Sequence, residues 1–322
     1  MTLYPLKFAP IFKYRIWGGE KLKNSLNKQY TEDSIGESWE ISNVPNDVSI
    51  VVNGNLKGTS LTDLMNTYKD DFLGTKVFKK FGTDFPLLIK FIDAKTDLSI
   101  QVHPNDEIAK QRKNSFGKNE MWYVMEADQE AELIVGFKNQ ENKDSYQTAV
   151  ENNTILEILN NVKVSKGDVF YIPAGRIHAI GAGVVIAEIQ QSSDITYRIY
   201  DYDRVDAKTG EKRELHTEEA LDVIDYEVLN TYKSNYETLE DTSNKMVDSP
   251  YFTTNIINLQ NSLNLNYSDK DSFVILMCVE GNSTINFEGT IYELNLGETI
   301  LLPAVINEIS ITGNAKILEV YL

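Results

Sequence analysis

A glycine and an acid, a short apolar run and a Pro-Ala step occur twice in this chain at one spacing. Gly167-Asp168 stands six residues before Pro173-Ala174, and Gly297-Glu298 stands six residues before Pro303-Ala304. Apolar runs closed by tight-turn residues read as strands entering hairpins, so both copies predict the same hairpin in a small barrel. A repeat over this distance constrains the chain to two units of one architecture. Most of the remainder consists of short runs divided by Gly, Asn and Asp, and residues 246–322 are nearly all strand-like. The expected fold is mainly β, two tandem jelly-roll-like barrels with small helical additions. Helices are expected over 61–81, where Leu61, Leu64, Met65, Tyr68 and Phe72 recur at helical spacing behind a Ser60 cap, and over 144–160 and 215–226. The polar, aperiodic stretch 235–249 reads as a linker, dividing the chain into 1–244 and 245–322.

The copies differ where chemistry would sit. Five residues after its proline the first copy carries His178, whereas the second carries Glu308. The chain has three histidines, and another, His103, lies two positions after Gln101 at what reads as a strand end. Residues two apart on a strand share a face, so Gln101 and His103 present an amide oxygen and an imidazole together. Glu120 opens the aromatic, β-branched run Met121-Trp122-Tyr123-Val124. Two imidazoles, a carboxylate and an amide oxygen suit zinc or another borderline divalent ion. One metal per chain is therefore expected, in the first barrel only.

Composition narrows the partners. With 31 lysines and arginines against 48 acids, the net charge of −17 repels phosphate backbones, so nucleic acid is not expected. The longest apolar runs are too short for a bilayer, so no membrane is expected. The single cysteine, Cys278, lies in an apolar run, consistent with a core residue in a reducing compartment. The expected location is the cytoplasm, and the sequence admits a homodimer.

An anionic small molecule would need a local cluster of cations. Glu188, Gln190, Ser192, Asp194, Thr196 and Arg198 share one parity, so the run presents one polar face. Ten residues after His178 it must return through the same barrel, bending near Ser192-Ser193, and so line the pocket. Lys90 interrupts the apolar strand 86–93, where a charge needs a reason. Lys118 stands two residues from Glu120. Trp17 and Trp122 are expected to be core residues, and His216 structural.

Four segments together resemble the type I mannose-6-phosphate isomerases of the short bacterial kind, within the cupin superfamily: Leu98-Ser99-Ile100-Gln101-Val102-His103-Pro104, Lys118-Asn119-Glu120-Met121-Trp122, Ile172-Pro173-Ala174-Gly175-Arg176-Ile177-His178-Ala179, and Glu188 through Ser193-Asp194-Ile195-Thr196-Tyr197-Arg198. The resemblance runs from Trp17-Gly18-Gly19 to the C-terminus. It implies a zinc enzyme interconverting mannose 6-phosphate and fructose 6-phosphate, with ligands at Gln101, His103, Glu120 and His178 and an essential arginine at Arg198. It also places Lys90 and Ser99 in the substrate region, where Asp194 is expected too. Aldose to ketose conversion moves a proton between C1 and C2 through an enediol or enediolate. Glu188 is the expected base, with Lys118 as its rival. A cupin iron oxygenase using His103, Glu120 and His178, and a non-catalytic sugar-binding cupin, are the alternatives. Metal identity and oxygen dependence separate the first, and cations facing bulk solvent would favour the second.

Overall fold

Strands buried on both faces run through the centre of the molecule. The computed structural model describes residues 2–322. Leu87–Ala94 and Val184–Gln191 are buried at every position, which requires packing on each side of the sheet. They lie in the middle of a six-stranded antiparallel sheet ordered Ile11–Gly19, Ile35–Ile41, Leu87–Ala94, Val184–Gln191, Glu120–Ala127, Val169–Ile172. On one face, Ile92, Trp122, Val124, Phe170 and Ile186 pack against Leu133, Val135 and Ile180. Those three belong to a second sheet, ordered Tyr197–Tyr200, Ile100–Val102, His178–Ile180, Glu132–Phe137, Leu159–Lys163. Two antiparallel sheets closed over one core give the expected jelly-roll barrel. The intervening residues Phe91, Tyr123 and Ala187 point the other way, into a core shared with Leu64 and Phe72 and with Met246, Phe273 and Leu318 of the C-terminal unit.

That unit is a seven-stranded sheet in which Ser243–Asp248, Thr253–Leu259, Glu308–Tyr321, Val274–Phe287 and Thr290–Asn295 follow one another, with Ser262–Asn266 and Thr299–Leu302 pairing to the two long strands. Its own core contains Ile257, Leu276, Cys278, Ile300 and Ile317.

The repeat is realised bond for bond. The Gly167 N–H donates to the Val124 carbonyl (2.8 Å) and the Gly297 N–H to that of Cys278 (2.9 Å). Past the prolines, the Arg176 N–H meets the Pro173 carbonyl (3.1 Å) as the Ile306 N–H meets that of Pro303 (2.9 Å). Gly167 and Gly297 have φ of 93° and 79°, which a side chain would strain.

Several expected boundaries move. The helix read over 61–81 is interrupted twice, by a kink at Lys69 (φ 47°) within Leu61–Leu73 and at Gly74 (φ 91°), after which Thr75–Phe81 follows. Over 144–160 the helices Lys143–Glu151 and Ile155–Ile158 give way to the strand Leu159–Lys163, because the edge of Glu132–Phe137 offers it a ladder. The helix expected over 215–226 is one short segment, Thr217–Leu221. Within the expected linker, Ser243–Asp248 is a strand, since Thr253–Leu259 pairs with it and Met246 and Val247 enter the core.

Candidate active site

The Pro-x-Gly turn of the first copy does two things. Its Gly175 N–H donates to the His103 carbonyl (2.9 Å), fixing one histidine, and the chain then delivers the other, His178, opposite Gln101 in the neighbouring strand. Glu120 comes from the facing sheet. The ligand atoms of His103, Glu120 and His178 lie within 4.8 Å of one another, and all three residues are buried. Among the described residues this is the one such group.

The donor set fits a divalent cation. His103 Nδ1 donates to the Ile195 carbonyl (2.9 Å) and His178 Nδ1 to that of Arg176 (2.8 Å), which leaves both Nε2 atoms unprotonated, with His103 Nε2 accepting from Lys118 Nζ (3.2 Å). They point at Glu120, 3.2 Å and 3.7 Å from its oxygens. This is the tautomer that metal ligation needs, with each second nitrogen held by a carbonyl. Burial, then the charge of Lys118, lowers the His103 pKa to about 3, and burial lowers that of His178. Burial alone would raise Glu120, yet Lys118 and then His103 hold it well below the glutamate range. Glu120 Oε1 has no well-directed hydrogen bond. Gln101 Nε2 stands 3.4 Å from His178 Nε2, and a half-turn of the amide puts its oxygen there instead.

Beside this group opens a cavity of about 410 Å³ lined by Trp17, Ser99, Gln101, Lys118, Glu188 and Arg198 among others, a size suited to a small polar ligand. Lys90 and Glu188 are opposite in register and paired at 2.9 Å. Lys90 also donates to Gln190 (2.5 Å). Lys118 lies 3.1 Å from Glu120. Trp122 is more than core filling: its Nε1 donates to Glu188 (2.9 Å) and Glu120 (3.1 Å), tying the two acids together. Burial and then repulsion from Glu120 raise the Glu188 pKa.

Arg15, Glu37 and Trp39 are cavity residues that the sequence reading missed. Arg15 grips Glu37 with two bonds of 2.9 Å, and Trp39 Nε1 donates to it at 2.6 Å. Burial opposes ionisation of Glu37, but Arg15 and Lys90 pull its pKa down to about 2. The strand Ile35–Ile41 reads Ile-Gly-Glu-Ser-Trp-Glu-Ile, too polar for Glu37 to stand out as Lys90 does in its apolar run.

The bend in the 188–198 run is real: the first strand ends at Gln191 and the next begins at Tyr197 in the other sheet. Asp194 and Thr196 line the cavity with Arg198. Arg198 has no carboxylate partner among the described residues. Its Nη1 donates to the Glu214 carbonyl (2.8 Å), because a segment at 213–216 lies alongside. His216 lines the cavity and clasps this strand, its N–H bonding the Arg198 carbonyl (2.7 Å).

Known proteins share this arrangement end to end. Residues 6–148 match the family "Phosphomannose isomerase type I, catalytic domain", and residues 242–322 match "Mannose-6-phosphate isomerase, cupin domain". Mannose-6-phosphate isomerase ManA of Bacillus subtilis is 37% identical over 98% of each chain. The chain belongs to the type I mannose-6-phosphate isomerases. The Streptococcus mutans mannose-6-phosphate isomerase is 35% identical over 98% of this chain and 97% of its own. In fold, the crystal structure of the Bacillus subtilis enzyme superposes with a TM-score of 0.90 at 31% identity, covering 99% of both chains. A putative mannosephosphate isomerase from Archaeoglobus fulgidus shares the fold at 22% identity, with a TM-score of 0.80 over 100% of this chain and 99% of its own. The chain is thus an isomerase of the cupin class, and the oxygenase and binding-module readings fall away.

Proposed function

We propose that this isomerase is zinc-dependent, holding one Zn²⁺ per chain on His103, Glu120, His178 and Gln101, and that it interconverts mannose 6-phosphate and fructose 6-phosphate through an enediolate. The observation that carries this is the pair of imidazoles with unprotonated Nε2 atoms around a carboxylate, beside a cavity that Gln101 and the Lys90–Glu188 pair line. A bound zinc ion would polarise the sugar carbonyl and stabilise negative charge on its oxygens.

The chain's own groups supply the rest. Glu188, poised above the ordinary glutamate pKa and anchored by Lys90 and Trp122, takes the proton from one sugar carbon and returns it to the other. Lys118, at the cavity wall, is placed to donate to a sugar oxygen. Arg198 presents a fixed planar cation to the enediolate. Ser99, Lys90 and Asp194 orient the sugar. We assign these roles to residues 1–244 and treat 245–322 as a second barrel without a metal. Register supports that division of labour: Val274 occupies the place of Glu120 and Asn266 that of Gln101, and Glu308 is exposed.

The test is a coupled isomerase assay on metal-analysed protein, without oxygen or nicotinamide in the isomerisation step. One zinc per chain, turnover of mannose 6-phosphate, and loss of activity on chelation are expected. Full turnover after complete metal removal, or a metal retained when His103 and His178 are both changed to Ala, would overturn it.

A further inference from the structure

One side chain joins the metal group to the acid assigned as base. Trp122 stands two residues after Glu120, on the same face of its strand, and directly opposite Glu188 in the neighbouring one. Its ring is fully buried, behind the cavity wall rather than on it, and meets the His178 ring at 5.2 Å with the planes 77° apart. From there one hydrogen serves two carboxylates: Nε1 lies 2.9 Å from Glu188 Oε2 and 3.1 Å from Glu120 Oε2. Among the described residues it is the one hydrogen-bond donor to Glu120 Oε2, the oxygen on the His178 side. Glu188 has one other donor, Lys90 on Oε1 (2.9 Å). An indole N–H donates without carrying charge and cannot accept a proton, so it orients a base without competing with it.

The second barrel shows what changes where there is no metal ligand to join. Glu319 faces Leu276 and Asn255 there as Glu188 faces Trp122 and Lys90, so a buried acid recurs at the same place in both barrels. Glu319 is held instead by Tyr267, Ser243 and Asn255, at 2.8, 2.6 and 2.8 Å. Leu276 offers it no donor, and Val274, at the place of Glu120, offers no second acceptor. The bridging indole thus belongs to the barrel that has both a ligand and a base. Two acceptors sharing one hydrogen compete for it, and the more charged one takes the larger share. Glu120 becomes the weaker acceptor once it gives its charge to a cation, and the hydrogen then passes toward Glu188.

We propose that Trp122 is a positioning residue whose one indole hydrogen couples the metal site to the base, so that filling the site draws this hydrogen onto Glu188 and fixes its carboxylate for proton transfer. This rests on the reading above of Glu120 as ligand and Glu188 as base, and deepens it: the metal orders the base as well as the sugar.

The experiment follows the ¹⁵N-labelled indole resonances of metal-free protein as zinc is added, with Trp122 assigned by elimination from Trp17→Phe and Trp39→Phe. Zinc should move the Trp122 indole proton downfield in wild type and much less in Glu188→Gln. No shift, or a shift of the same size in both proteins, overturns the coupling. Kinetics at saturating zinc give the second arm. Trp122→Phe keeps a ring against His178 and loses the donor, so kcat on mannose 6-phosphate should fall roughly 10-fold or more with KM within about threefold of wild type. The primary isotope effect with substrate deuterated at C2 should grow, because proton transfer becomes the slower step. Unchanged kcat and isotope effect, or a rise in KM alone, overturns the assignment. If Trp122→Phe does not fold, the wild-type and Glu188→Gln spectra decide. Should the zinc-dependent shift appear in a wild type that does not isomerise mannose 6-phosphate, the coupling stands and the phosphosugar reading falls.

Discussion

Lys90 is a cation with almost no contact with water, and its surroundings explain why it survives there. Glu188 and Gln190 accept its protons, and Glu37 adds charge from the neighbouring strand. A buried charge interrupting an apolar strand is visible in one dimension, which is why Lys90 was legible. Arg213, which also lines the cavity, was not, because it sits in a polar, irregular segment where arginines are ordinary. Arg198 was legible by parity, but the segment that holds it, sixteen to eighteen residues further on, cannot be read from alternation. If Arg198 stabilises charge that exists only in the transition state, Arg198→Ala should lower kcat by roughly 10²-fold or more with metal content intact, and Arg198→Lys should rescue little. Steady-state kinetics beside metal analysis checks this. Glu37 gives a pH signature. Its folded pKa of about 2 lies below the ordinary 4.5, so its contribution to stability is full above 4.5 and is lost as pH falls through 2. Thermal melts from pH 5 to pH 3 should therefore fall more steeply for wild type than for Glu37→Gln.

Among the elements, the broken helix at Gly74 shows what periodicity hides. Leu61, Leu64, Met65 and Phe72 do bury as their spacing predicts, so the pattern located the first helix. It could not show that Asp271, far along the chain, accepts from the Thr75 N–H (2.7 Å) and the Lys76 N–H (3.1 Å) and starts a second helix. A side chain at Gly74 would meet the Asp271 backbone and strain a φ of 91°. Gly74→Ala should cost about 1–3 kcal/mol, read as a lower denaturant midpoint with kcat/KM unchanged. The duplicated turn makes the same point about context. In the first barrel it is stapled to His103. In the second, Ala304 and Val305 donate to the carbonyls of Phe72 and Asp71 (2.9 and 3.0 Å) and cap a helix instead. The turn itself was legible from Gly, Pro and spacing, because its bonds are largely local. Its use was not, because that depends on what packs against it.

At the scale of the molecule, the two barrels each have an interior but are joined by a third core built from both. Phe72, Phe85, Phe91 and Tyr123 share a core with Phe252, Phe273, Ile275 and Leu318, so a chain ending at residue 241 would expose a large apolar face. Such a truncation should lose cooperative unfolding and bind a hydrophobic dye, whereas a sharp, native-like melt would show that the first unit stands alone. The duplication was legible; the shared core was not, since a strand buried on both faces does not say what covers it. The ends of the chain take part in the same joint. Leu6 and Leu301 exchange both backbone hydrogen bonds, at 2.8 and 2.9 Å, and the helix ending at Leu73 waits for residues 304 and 305. On the ribosome, then, Leu6 emerges long before its partner Leu301 is made. The nascent chain must carry an unfinished core across that interval, and the joint closes only after residue 305 has left the exit tunnel. Contacts this distant in sequence form slowly, which makes the newly made chain a natural client for chaperones that shield apolar surface.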